Sequence, residues 1–217
     1  MEMNKNISEN IEVERYLASV QAKADKLVDK FVIGFFLIGL ALSPVYQTWT
    51  FSLLIGGMNF GLYMVAKLIS NKFISRQIIS LVFAVFMLQF IGQMHGMAEM
   101  HFFFFTNIAI LIIYQDWRMM VPYTVFSILH HSTFFYFQLL GYDHLGQYFI
   151  NYTQVDAQLL FFHFSLAILM GVIASWWSVL FCQRSIQMVE AQQEVNLQNE
   201  ELTQNIEALS QTEQALQ

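Results

Sequence analysis

Long apolar stretches fill most of this chain, and short clusters of charged or turn-forming residues separate them. Crossing the hydrocarbon of a bilayer takes about 20 mostly apolar residues in a helix. Six stretches of that kind can be marked, at 31–48, 51–69, 77–96, 98–116, 119–140 and 157–182. The pattern predicts an all-α membrane protein with six transmembrane helices in a domain over residues 31–182. Ahead of the first stretch, Leu17, Val20, Ala24, Leu27 and Phe31 recur at three-four spacing with Lys23, Lys26 and Lys30 between them. That spacing predicts an amphipathic cytoplasmic helix within residues 1–30, either a basic anchor on the inner leaflet or a face that packs on a signalling helix.

The tail over 183–217 has a different period. No Pro or Gly follows Arg184, and Met188, Val195, Leu202, Leu209 and Leu216 recur every seventh residue. This is the d seam of a coiled coil. Its a positions, Ser185, Gln192, Asn199, Ile206 and Glu213, are mostly polar. A parallel homodimer that is weak alone is expected, and because the period still runs at Gln217, a downstream cytoplasmic signalling domain is expected beyond it.

Composition narrows the class. At 56% hydrophobic and 12% charged residues, the chain is too apolar for a soluble domain of this size. A net charge of −6 with scattered basic residues excludes a nucleic-acid surface. All ten Lys and Arg residues precede the first stretch, follow the sixth, or lie in the second and fourth turns. By the positive-inside rule that side is cytoplasmic, so both termini are expected to face the cytoplasm. The polar segment before the first stretch has the wrong shape for a cleaved signal peptide, so the N-terminus is expected to be retained. Cys182 is alone and forms no internal disulfide.

The candidate chemistry lies in the histidines. All six, His95, His101, His130, His131, His144 and His163, fall between the end of the third stretch and the start of the sixth. A rise of about 1.5 Å per residue puts His95, Glu99 and His101 within about 5 Å of the outer boundary and His163 about 9 Å deep. His130 and His131 fall near mid-membrane. Ionisable groups at that depth are costly unless paired or ligating. Imidazole suits Zn, Cu, Fe and Ni, and three ligands with one open position is a common arrangement. His101, His131 and His163, one per helix, form the expected triad, with Glu99 completing it or orienting a ring and His95 as a further donor. Neighbouring helix positions differ by about 100°, so His130 and His131 are expected to divide: one supports the other, or two centres exist. Met94 and Met97 offer thioethers that would favour Cu(I). A copper or zinc ion is the first expectation. The alternative is a b-type haem between two of the histidines, with Gly92, Gly96 and Gly171 leaving room for it. A purely structural hydrogen-bond network is the bland reading, and His144 beside Asp143 reads as a solvated loop residue.

Four segments carry a family resemblance: Ala98-Glu99-Met100-His101-Phe102, the run Leu111 to Trp117 with its Tyr-Gln-Asp-Trp core, His130-His131, and the region of His163. In these the chain resembles a widespread bacterial six-helix membrane sensor module found ahead of chemotaxis, diguanylate cyclase and histidine kinase outputs. In that family a second histidine commonly follows the first by two positions, where this sequence has Phe103. The resemblance implies a sensory role in a bacterial inner membrane and a shared structural role for Asp116 and Trp117. The expected function is a transmembrane sensory input domain with no catalytic site of its own. The alternative is a histidine-rich membrane metalloenzyme or oxidoreductase.

Overall fold

The computed structural model describes residues 2–142, 145 and 157–216, with side chains from Ile11 onward. Every described element is helical, with no strand among the described residues. Six helices follow one another: α1 (Glu2–Tyr46), α2 (Trp49–Leu68), α3 (Lys72–Gln93), α4 (Ala98–Tyr114), α5 (Met120–Leu139) and α6 (Ala157–Ala215). The expected stretches each match a helix. Four of the six, in α1, α2, α3 and α6, are long and apolar enough to cross a membrane. α4 is shorter. α5 has the length but carries Thr124, Ser127, His130, His131, Ser132 and Thr133 in its middle. The residues form two compact units.

The larger unit runs from Lys23 to Val179, and α3 is its centre. In its most apolar window 67% of residues are buried, against 28%, 28% and 17% in α1, α2 and α6. A helix apolar on all faces belongs inside, and α3 packs against α2, α4 and α5. Its neighbours grip it through backbone carbonyls. Asn59 of α2 donates to Val82 O and Asn107 of α4 to Phe83 O, each at 3.0 Å. Ser80 of α3 donates in turn to Met119 O at 2.6 Å. The opposite surfaces of α2 and α6 stay bare: Leu54, Met58 and Leu68, and Phe161, Leu166 and Trp176, are all at least 60% exposed.

The buried stripe of α1 runs through Ala24, Val28, Val32 and Phe35, while Leu27 is exposed. The stripe drawn from sequence shares Ala24 with it and has Phe31 partly buried, and it departs at Leu27, where Val28 is the buried position. Two carboxylates fix the rotation. Asp25 accepts from Tyr114 Oη at 2.9 Å and from Arg76 at 3.4 Å. One turn later, Asp29 accepts from Tyr63 Oη at 2.6 Å and Lys67 Nζ at 2.8 Å. α1 is continuous from the amphipathic segment into the first apolar stretch and contains Pro44 in its last turns.

The smaller unit contains the start of α1, to Ala22, and the part of α6 from Leu180. Here Gln193 donates to Glu12, and Ser185 is buried. Of the heptad seam, Met188, Val195, Leu202 and Leu209 remain 48% to 70% exposed.

Candidate metal centre

Three helices deliver the candidate ligands. His101 closes the 3-10 turn Ala98–His101 that opens α4, His131 sits in the second half of α5, and His163 lies near the start of α6. One candidate ligand nitrogen from each ring lies within 4.8 Å of the others. The ring centroids are 5.6 Å apart for His101 and His131, 5.7 Å for His101 and His163, and 5.1 Å for His131 and His163. His131 is buried, and the other two are partly so.

Backbone contacts decide how these rings present themselves. His131 Nδ1 lies 2.9 Å from Ser127 O, one helical turn back, and His101 Nδ1 lies 3.4 Å from Met97 O. A carbonyl oxygen only accepts, so each contact is a hydrogen bond in the tautomer that has its proton on Nδ1, and that tautomer leaves Nε2 able to ligate. The two Nε2 atoms are 3.5 Å apart. A proton on one of the two joins them in a hydrogen bond, and a cation between them would be ligated by both. Metal–nitrogen bonds of about 2.0–2.1 Å at a tetrahedral angle hold ligand nitrogens about 3.4 Å apart, so the observed spacing matches. A ring N–H donated to a backbone carbonyl is also the usual way a ligating histidine is held. Beside the rings lies a cavity of about 130 Å³ walled by Met87, Phe104, Phe105, Ile128, Phe164 and Ala167.

The remaining candidates lie elsewhere. His130 faces a second cavity, with Phe51, Gln89, Phe126 and Phe134, and its ring lies tilted at 44° to that of Phe134, the centroids 4.6 Å apart. His95 occupies the turn after α3 with φ 53°, and its ring stacks on Tyr46 at 4.4 Å. Glu99 is exposed at the start of α4 and is not one of the three clustered residues. Met97 reaches His101 through its carbonyl, and Met94 is buried. His144 lies outside the described residues.

The Tyr-Gln-Asp-Trp segment is structural. Gln115 takes the left-handed conformation, φ 54°, that ends α4. Asp116 then caps the next turn by accepting from Arg118 N at 3.0 Å, and its carboxylate binds the Arg118 side chain at 2.7 and 2.8 Å. That hydrogen-bonded carboxylate raises the guanidinium pKa above its ordinary value. Sequence reading overlooked Gln89 and Gln93, both buried in α3. Two amides four residues apart inside an apolar stretch were the available signal.

The chain matches no protein-family model, no curated protein and no solved structure.

Proposed function

We propose that this chain is a membrane-embedded sensory input domain in which His101, His131 and His163 hold one copper or zinc ion. The observation that carries the reading is the convergence of three imidazoles from three helices, one ligand atom of each within 4.8 Å of the others and the Nε2 atoms of His101 and His131 3.5 Å apart. A b-type haem fits less well. Two collinear metal–nitrogen bonds of about 2.0 Å hold their nitrogens about 4 Å apart, more than the 3.5 Å between the Nε2 atoms of His101 and His131. Three protein ligands leave a fourth position, and the neighbouring apolar cavity gives it a water-poor surrounding.

The bilayer is the surrounding that suits the bare leucines, methionines and aromatics of α2 and α6, because exposed apolar areas of that extent are rare on soluble monomers. His163 and the heptad residues Met188 to Leu209 share one helix, α6. A change of ligand or oxidation state at the ion acts on His163, and the helix carries that displacement to a parallel dimeric stalk of marginal stability. Basic residues on one side of the spans put both termini in the cytoplasm.

Elemental analysis of purified protein tests this. One copper or zinc ion per chain is expected, lost in each of His101→Ala, His131→Ala and His163→Ala. Full-length protein free of stoichiometric metal after reconstitution with either ion overturns the proposal.

A further inference from the structure

Adjacent in sequence, His130 and His131 line different cavities. The cavity at His130 lies among α2, α3 and α5, has a volume of about 410 Å³ and is walled by Phe51, Ile55, Leu88, Phe126 and Phe134. A dry cavity of about 150 Å³ already accepts benzene, so this one has space for a substituted ring. Two polar groups interrupt its apolar wall. Gln89 Oε1 and His130 Nδ1 are both buried, and neither has a hydrogen-bond partner. Buried polar atoms without partners are uncommon and costly.

The amide network fixes what Gln89 offers. Gln93 Nε2 donates to Gly39 O at 2.9 Å, and a carbonyl can only accept. Gln93 Oε1 is therefore the acceptor that Gln89 Nε2 meets at 2.9 Å. The atom of Gln89 left over is an oxygen, which requires a donor from its ligand. Glycines hold the arrangement open. A Cβ at Gly39 would come within 2.5 Å of Gln89 Nε2, and one at Gly56 within 3.1 Å of Gln89 Oε1. A Cβ at Gly92 would meet the Phe51 ring at 2.8 Å. The turn Ser52–Gly56, which includes Ile55 of the wall, is a π-helix, a widened geometry found often at functional sites.

We infer that this cavity binds a membrane-dissolved quinol, the aromatic ring lying among the phenylalanines and the two hydroxyls donating to Gln89 Oε1 and His130 Nδ1. Gln89 Oε1 is satisfied only by the reduced form, whereas His130 Nδ1 accepts from a quinol and, in its other tautomer, donates to a quinone. A quinone brings two oxygens that cannot donate, so Gln89 Oε1 stays unpaired and the oxidised form binds more weakly. The inference concerns binding alone and stands independently of the metal centre.

Saturation binding of duroquinol to the full chain in detergent, under nitrogen, tests it. One site per chain is expected, with duroquinone binding about tenfold more weakly, the loss of one hydrogen bond and the stranding of its acceptor. The dimethyl ether of duroquinol keeps the shape and removes both donors, so it should not compete. Gln89→Leu and His130→Phe should each weaken duroquinol about tenfold, while His163→Ala leaves it unchanged. No saturable binding, or competition by the ether equal to that of the quinol, overturns the inference without reliance on a variant. Unchanged affinity in both folded variants overturns it as well.

Discussion

The rings of His130 and His131 have centroids 5.3 Å apart and planes inclined at 66°, yet they serve different surroundings. His131 turns to His101 and His163, and His130 turns to Gln89 and Phe134. Substitution should separate the two. His131→Ala is expected to remove the bound ion, and His130→Ala to retain it at full stoichiometry. Elemental analysis of the two variants decides the matter, and metal loss in both would mean that His130 is a ligand.

The carboxylates of α1 should differ in worth. The Asp29–Lys67 pair is about a third exposed on each side, whereas Arg76 and Asp25 are 13% and 21% exposed. Exposed ion pairs contribute about 0–1 kcal/mol, and hydrogen bonds to a charged group in a drier place about 1.5–3 kcal/mol. Asp25→Ala should therefore lower the melting temperature in detergent more than Asp29→Ala does. The reverse order would show that Tyr114 and Arg76 add little to the packing of α1.

Close approach of α5 and α6 depends on one glycine. A Cβ at Gly171 would come within 2.9 Å of Thr124 Oγ1, and overpacking of this kind costs about 1–3 kcal/mol. Gly171→Ala should destabilise the protein by that order, and the added change Thr124→Ala should recover most of the loss. A double variant as unstable as the single one would place the conflict elsewhere.

The seam of α6 offers a direct test of association. In a Cys182→Ser background, Leu202→Cys and Leu209→Cys should each give a covalent dimer under mild oxidation, and Glu200→Cys should not. Equal cross-linking at all three positions would argue against a specific parallel coil.

The helices were legible because apolar runs of bilayer length leave few choices, and the ends expected for α2, α4 and α5 fall within two residues of those observed. The triad was legible for a related reason: histidines are so rare in such runs that three of them on three helices leave little else to combine. The rotation of α1 was not legible. Asp25 and Asp29 sit in a lysine-containing amphipathic segment that reads as an anchor, and their partners Tyr63, Arg76 and Tyr114 lie 34, 51 and 89 residues away. No local period encodes such distances. The π turn at Ser52–Gly56 was equally hidden, since one extra residue in a turn leaves an apolar run looking unbroken. The second cavity went unseen because glutamine in a membrane stretch was passed over in favour of histidine.

The hydrogen bond from His131 to the carbonyl of residue 127 has an evolutionary corollary. Every amino acid supplies that oxygen, so no replacement at position 127 that keeps the helix intact can withdraw it. The main chain therefore contributes to the orientation of the ring whatever side chain stands at position 127. Under the proposed function, the surrounding side chains could be exchanged while this contact continued to hold the imidazole toward an ion.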